Sequence, residues 1–180
     1  GYRQFNQYER VVEANWKVML ETFLEGYHIK PAHRETFFPF GYDNTTLVEH
    51  FGRHSRVTFP FRRLESQAQV EPAARKVEGN VTFVYHLFPN ALLVVLSHHL
   101  NLVVLEPIDL GNTRMHFHSL AQREVSDERA RKDAAFVDMT GTAEDRDMAC
   151  AIQRGLDSGA NQVFTFGQFE GAIAHFHRHL

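Results

Sequence analysis

The chain has 180 residues, of which 43% are hydrophobic, and its formal net charge at pH 7 is -3. This length and apolar content are enough for one compact domain with a buried core. The small net charge and the lack of a basic stripe argue against nucleic acid or an anionic membrane as the main partner. No apolar run reaches the roughly 18 to 20 residues needed to span a bilayer, and no signal peptide opens the chain, so we expect a soluble, cytoplasmic protein with no membrane partner.

Cysteine usage limits the kinds of metal site that this chain can form. Cys150 is the single cysteine. One thiol cannot form an intramolecular disulfide, and it cannot build a cysteine-based zinc or iron-sulfur centre. Any metal must therefore use other ligands. Histidine is abundant, with 12 residues, but most histidines in proteins are ordinary surface or core residues, so spacing has to identify functional ones.

The first half of the chain reads as one helix followed by strands. Apolar residues at helical spacing predict a helix over residues 14–28. Pro31 prevents its simple continuation, so His33 is expected on the irregular segment just past the helix end. Segments rich in Val, Leu, Phe and Thr then alternate with turn formers, and their short connections favour an antiparallel sheet. The predicted strands span residues 46–49, 56–61, 81–87, 91–98, 100–106 and 113–120.

Polar and helical segments complete the pattern. The stretch over residues 62–79 is polar and is predicted to be a lid or a partly helical loop. Ser126 is expected to cap a helix that ends near Met139, and a longer helix is predicted over residues 143–156. A short helix over residues 168–179 closes the chain. Helices that come before and after a sheet in runs, without an internal linker, are typical of a single-domain α+β fold.

The segment from Glu25 to His33 carries two histidines five residues apart and an acid three residues before the first. On a helix, Glu25 and His28 share one face, so the carboxylate can orient the imidazole as carboxylates orient metal-ligating histidines. The break at Pro31 lets His33 fold back toward His28. Two imidazoles suit Zn, Cu, Fe or Ni. The alternative is two unrelated histidines that the negative end of the helix dipole stabilises.

A candidate third ligand lies on the long helix near the C-terminus. Asp145 continues an apolar stripe formed by Ala149, Ile152 and Leu156 and is therefore predicted to point inward, whereas Asp147 faces the opposite side. A buried carboxylate is costly unless it is paired or bound to a metal. The alternative is an N-terminal acid that the helix dipole stabilises. Two histidines and one carboxylate form the triad of non-haem Fe(II) oxygenases, which leaves positions open for O2 and an exogenous ligand.

Several separated motifs occur along the chain. They are Asn15-Trp16-Lys17, Glu21, Glu25-Gly26-Tyr27-His28, His33, Phe88-Pro89-Asn90, Glu144-Asp145, Gln153-Arg154-Gly155-Leu156, Glu170 and His175-Phe176-His177. Together these motifs resemble the catalytic domain of the α subunits of Rieske non-haem iron ring-hydroxylating oxygenases. The resemblance extends in order over essentially all 180 residues.

The resemblance implies a helix-grip α+β fold, with an antiparallel sheet wrapped around a long helix, as one catalytic domain over residues 1–180. It implies His28, His33 and Asp145 as ligands of Fe(II). Glu25 would be the acid that links an iron-ligating histidine to a histidine of a [2Fe-2S] Rieske cluster in a neighbouring subunit. The implied activity is that of a dioxygenase or monooxygenase that uses O2 to hydroxylate an aromatic or other small organic substrate, as in aromatic hydrocarbon catabolism. A reductase or ferredoxin would supply electrons, and a homotrimer would bring cluster and iron together.

Three features depart from the family pattern. Glu25 replaces the Asp common in aromatic-ring dioxygenases and is more like relatives that act on quaternary amines. Thr22 stands where Asn is common, which removes an amide near the iron. A Rieske centre needs two cysteines and two histidines, which this chain cannot supply. We therefore expect either a Rieske domain that precedes Gly1 in a longer protein or a separate protein that delivers electrons.

The substrate is expected between the sheet and the helices, with Phe88, Leu92 and Val94 as candidate walls. Two other interpretations use the same residues: a ligand-binding module with a degenerate metal site, and a zinc-dependent hydrolase, although no further general base for a metal-bound water is evident. Neither His98-His99 nor the C-terminal histidines are expected to form a second metal site. Adjacent strand residues face opposite sides, and helical residues two apart do not share a face.

Overall fold

The computed structural model of the protein describes residues 1–138 and 143–180. Within these residues, seven strands form one antiparallel sheet in the order β1-β7-β6-β5-β4-β3-β2. The strands are β1 (Tyr2–Val12), β2 (Leu47–Phe51), β3 (His54–Pro60), β4 (Val81–Leu87), β5 (Ala91–Val95), β6 (His99–Pro107) and β7 (Thr113–Gln122). The helices are α1 (Trp16–Glu21), α2 (Ile29–Ala32), α3 (Asp127–Val137), α4 (Ala143–Asp157) and α5 (Gly171–His179), with short 3-10 helices at Arg62–Gln69 and Pro72–Ala74.

One face of the sheet holds the core. Residues of β7 alternate between buried and partly exposed, as expected for a sheet that is covered on one side. On the buried side, α1 packs against β6 and α4, and α5 packs against β2 and β3. The core joins apolar side chains of these helices and strands, among them Met19, Leu20, Leu92, Val103, Leu105, Met115, Ile173 and Phe176. The predicted single-domain α+β fold with an antiparallel sheet is confirmed.

All six predicted strands are present, β4 with the predicted bounds and the other five with shifted ends, and β1 was not predicted. This strand lies at the edge of the sheet and pairs with β7 from Tyr2 opposite Gln122 to Val12 opposite Thr113. Most of its residues are polar because one face is exposed; Phe5 and Val12 are its buried residues. An edge strand with so few apolar residues gives a weak sequence signal.

The helix predicted over residues 14–28 is much shorter in the structure. Asn15 begins α1 by accepting a hydrogen bond from the backbone N-H of Lys17 at 3.0 Å. The hydroxyl of Thr22 donates to the carbonyl of Met19 at 2.8 Å, and the chain leaves the helix there. Leu24 is fully buried from the turn that follows. The helical spacing of apolar residues therefore continues in the sequence beyond the end of α1, because Leu24 enters the core from a turn and not from a helix.

The polar and C-terminal segments agree largely with prediction. Residues 62–79 contain two short 3-10 helices and form a partly helical surface loop. The side chain of Ser126 caps α3, accepting from the N-H of Arg129 at 3.3 Å. The predicted end of that helix at Met139 lies outside the described residues. None of the helices in the described part of the chain combines the length and the apolar character needed to cross a membrane.

Candidate metal centre

The structure brings His28, His33 and Asp145 together from two helices. His28 and His33 flank α2, and Asp145 lies in the first turn of α4, which packs against α2. One potential ligand atom from each residue lies within 4.8 Å of the other two. The imidazole Nε2 of His33 is 2.7 Å from Oδ1 of Asp145, and Nε2 of His28 is 3.4 Å from the same oxygen. His33 and Asp145 are buried and His28 is mostly buried, with side-chain exposed fractions of 3% to 11%.

The two histidines converge through a helical turn and not, as predicted, through a chain break at Pro31. The N-H of Ala32 bonds to the carbonyl of His28 at 2.8 Å, and the N-H of His33 bonds to that of Ile29 at 3.0 Å. Pro31 sits inside this turn, where its missing N-H costs no hydrogen bond because the first turn of a helix has no partner for it. The imidazole centroids of His28 and His33 are 5.2 Å apart as a result.

Two carboxylates hold the far side of the two rings. Nδ1 of His28 bonds to Glu25, whose second oxygen accepts the backbone N-H of His28 at 3.2 Å. Nδ1 of His33 is 2.6 Å from Oε2 of Glu144, which also accepts the hydroxyl of Thr36 at 2.8 Å. Carboxylates are acceptors, so each Nδ1 carries a proton, and each Nε2 turns a lone pair toward Asp145.

The donor set fits a divalent cation. Oδ1 of Asp145 is buried and makes no hydrogen bond of normal geometry, although two imidazole nitrogens lie close to it. Two lone pairs and a carboxylate that face one another in a buried site repel unless a positive charge lies between them. The helix dipole explains an acid at the start of α4, but it does not explain two converging imidazoles. The arrangement matches the ligand types of a two-histidine, one-carboxylate Fe(II) site.

The electrostatics of His33 also favour a cation at this site. Burial lowers the pKa of His33, but the nearby carboxylate of Asp145 and the hydrogen bond and negative charge of Glu144 outweigh burial and raise its pKa above the ordinary value. Negative charge therefore dominates around the ring. A bound metal would take the position that a proton on Nε2 otherwise takes, so metal binding should release that proton.

The sequence indicated Glu144 only as part of the Glu144-Asp145 motif. In the structure, Glu144 has a hydrogen-bond partner of its own, His33. Replacing Glu144 with alanine is expected to weaken Fe(II) binding by about 10- to 100-fold, because the buried ring of His33 loses the group that fixes its tautomer and orientation. Anaerobic titration with Fe(II) measures this change. Asp147→Ala is the matched control, since the Asp147 side chain is 74% exposed. Equal affinities of Glu144→Ala and wild type would show that Glu144 does not orient His33.

An apolar cavity, here called the metal cavity, lies against the triad. Its volume is about 170 Å³. Of the three candidate substrate-pocket walls, Val94 lines this cavity, whereas Leu92 is fully buried in the core and Phe88 packs against Phe176, with ring centroids 6.4 Å apart. The sequence did not identify its aromatic walls, which come from Phe23, Phe37, Tyr42, Phe59 and Phe61.

A second cavity, here called the acidic cavity, lies on the Glu25 side of His28. Its volume is about 470 Å³, and its lining includes Glu21, Glu25 and Glu170. Burial raises the pKa of Glu21 despite the opposing hydrogen bond to His177 at 2.8 Å. Ile152 was predicted to point into the core but is 42% exposed, because this part of α4 borders the acidic cavity. Of the residues predicted to point inward from α4, only Asp145 and Ala149, in the first half of the helix, are buried.

The remaining histidines lie elsewhere. His98 is exposed and His99 is buried, and His175 stacks on His50 with ring centroids 3.9 Å apart. Among the residues that the structure describes, the triad is the one group of three or more His, Cys, Asp or Glu side chains whose ligand atoms converge.

Solved structures of Rieske oxygenases share this fold. A quaternary ammonium Rieske monooxygenase in complex with an inhibitor is 20% identical, with a TM-score of 0.74, and the match covers 98% of this chain and 48% of that chain. Dicamba monooxygenase bound to 3,6-dichlorosalicylic acid is 13% identical, with a TM-score of 0.66 and coverage of 99% and 58%. Naphthalene 1,2-dioxygenase from Rhodococcus sp., bound to indole, is 12% identical, with a TM-score of 0.65 and coverage of 96% and 46%. This chain therefore spans about half the length of these structures.

No curated protein matches the sequence. The model of one family, described as ring hydroxylating alpha subunit (catalytic domain), matches residues 1–180. This match includes both histidines and the carboxylate of the candidate metal centre. The chain belongs to the family of ring-hydroxylating alpha subunit catalytic domains.

Proposed function

We propose that this chain is the catalytic domain of a Rieske-type oxygenase that hydroxylates a small organic substrate with O2. The proposal rests on one observation above all: Asp145 and two imidazoles converge in a buried site where Oδ1 of Asp145 has no hydrogen-bond partner. His28, His33 and Asp145 would hold Fe(II). When bound, Fe(II) would supply the O2 chemistry, with open positions beside its three protein ligands.

The metal cavity would position and shield the substrate. Its walls are mainly aromatic and aliphatic and offer few polar contacts. An apolar cavity of roughly 150 Å³ can hold benzene, so the 170 Å³ beside the triad suits one ring. Aromatic walls stack on a ring and also attract an organic cation, which is consistent with an aromatic or a quaternary amine substrate.

Glu25 would connect this site to an electron donor. Its carboxylate holds Nδ1 of His28, and it lines both the metal cavity and the acidic cavity. A histidine of a [2Fe-2S] Rieske cluster could donate a hydrogen bond to Glu25 from the acidic cavity. One similar structure, of a quaternary ammonium Rieske monooxygenase, concerns inter-subunit electron transfer. By analogy, we propose a homotrimer in which a Rieske domain of a neighbouring subunit, reduced by a reductase or ferredoxin, approaches Glu25.

Anaerobic loading with Fe(II) or Zn(II), followed by metal quantification, tests the proposal. We expect about one iron per wild-type chain, O2-dependent oxidation of a substrate only with both iron and a Rieske electron donor, and little iron in His28→Ala. Full iron loading of both proteins would contradict the assignment of His28. Hydrolytic activity that depends on zinc alone would favour a hydrolase, and failure to bind either metal would favour a ligand-binding module.

A further inference from the structure

A third cavity, here called the outer chamber, adjoins the metal cavity. Its volume is about 300 Å³. Phe37, Phe61, Leu96 and Val137 line both cavities, so these four side chains form their common boundary. The metal cavity lies on the triad side of this boundary. The outer chamber lies on the other side, between α3 and the turn that joins β5 to β6.

Size indicates that the metal cavity alone does not hold a whole substrate. Ligand pockets are typically about 300 to 1,000 Å³. The 170 Å³ of the metal cavity falls below this range, and the two adjoining cavities together reach it. The acidic cavity is a less suitable extension, because its lining includes Glu25 and His28 but neither His33 nor Asp145. A ligand there would lie behind His28 and not in front of the triad.

The outer chamber differs from the metal cavity in its polar groups. His99 lines the chamber but is 3% exposed, and both of its ring nitrogens are buried without a hydrogen-bond partner, so the ring has to turn to present a nitrogen to a ligand in the chamber. Burial lowers the pKa of His99, so the ring is neutral and offers one donor and one acceptor. A buried polar group without a partner is uncommon and costs free energy, which a ligand that bonds to it would recover.

The charged groups of the chamber already have partners. Asp133 pairs with Arg129 at 3.1 Å, and Nε of Arg63 donates to the carbonyl of Gly79 at 2.5 Å. Opposite charges at one rim also give no net preference for an anion or a cation. The unsatisfied group in the wall is therefore the neutral imidazole of His99, and this favours an uncharged partner.

We propose that the outer chamber is the second half of the substrate site, in which an uncharged hydrogen-bonding group of the substrate contacts His99 while an apolar ring lies beside the triad. The substrate class is then a ring that bears a carboxamide, hydroxyl or carbonyl group on a short arm. That the ring is the part oxidised rests on the proposed function; the two-part binding site does not.

Three probes test this site on the metal-free chain: benzene, 3-phenylpropanamide and 3-phenylpropionate. Their dissociation constants can be measured by ligand-observed NMR. The amide should bind more tightly than benzene and than the carboxylate of nearly equal shape. His99→Leu should weaken binding of the amide about two- to tenfold, the equivalent of one net hydrogen bond, and leave benzene unchanged. His118→Leu makes the same change on the opposite face of the sheet, and it should alter the dissociation constant of neither the amide nor benzene.

A second variant covers the case in which His99→Leu does not fold. Ser97→Trp places bulk at the chamber from an exposed turn and should weaken the amide while benzene binds as before. Equal affinity of wild type for the amide and benzene would overturn the proposal, as would an amide affinity that neither variant changes. These measurements need no iron. A preference that depends on His99 in a chain that fails to load iron would support this site and contradict the proposed oxygenase.

Discussion

The Asp145→Ala variant is expected to lose Fe(II) almost entirely, while Asp147→Ala, two residues along the same helix, should bind it as well as wild type. Asp145 is buried with its Oδ1 beside both imidazoles, whereas the Asp147 side chain is 74% exposed and pairs with Arg146. Removing a group that only supports a ligand costs about 10- to 100-fold in metal affinity, and removing the ligand itself should cost more. Iron per chain and the Fe(II) dissociation constant measure the difference.

Stability measurements separate loss of a ligand from loss of the fold. In the metal-free chain, at a pH high enough for His33 to be neutral, Asp145 is a buried carboxylate whose Oδ1 makes no hydrogen bond, so its removal should not lower the free energy of unfolding. Chemical denaturation of metal-free wild type and Asp145→Ala tests this. A variant that unfolds easily would show that Asp145 has a structural role, and a variant that retains full iron would show that Asp145 is not a required ligand.

The Glu25→Ala variant is expected to keep most of its iron under saturating Fe(II) but to lose turnover that depends on a Rieske electron donor. Glu25 orients His28 and also lines the acidic cavity, so it lies between the proposed iron and the side from which electrons would arrive. Loss of such a partner typically lowers activity about 10- to 100-fold. Iron content and steady-state product formation with the donor measure the two effects separately.

An assay with H2O2 in place of O2 and donor distinguishes electron delivery from substrate oxidation. Hydroxylation by H2O2 releases water and needs no electrons from a donor, so Glu25→Ala should come closer to wild type in this assay than in steady state. Glu25→Gln keeps an amide oxygen as an acceptor for His28. Its steady-state turnover with the donor should therefore lie between those of wild type and Glu25→Ala. Full steady-state turnover of Glu25→Ala with the physiological reductant would contradict the proposed role.

The triad of His28, His33 and Asp145 could be predicted from the sequence because each residue stands out by its spacing within one local segment. His28 and His33 flank one short helix, and Asp145 is the acid that shares the inward side of α4 with Ala149. The α+β class was predictable for a similar reason, since most strands alternate in polarity along a few residues. Local pattern failed at the turn after Thr22, where a buried Leu24 imitated helical spacing.

The walls of the cavities could not be predicted from local spacing in the sequence. Phe37 follows α2 and Phe61 follows β3, and only the folded sheet places both beside Val94. Leu92 lies on the same strand as Val94 and has the same inward direction, but it packs into the core, so strand periodicity could not separate the two. The link between Glu144 and His33 also joins residues 111 positions apart. Such contacts depend on how helices and strands pack and not on spacing within one element.

Iron-edge anomalous diffraction from crystals of the anaerobically Fe(II)-loaded chain tests the central claim most directly. The account predicts one strong anomalous peak between Nε2 of His28, Nε2 of His33 and the carboxylate of Asp145, with Nδ1 of each ring still held by Glu25 and Glu144. A peak at any other group of side chains, or a loaded crystal without a peak at this triad, would contradict it.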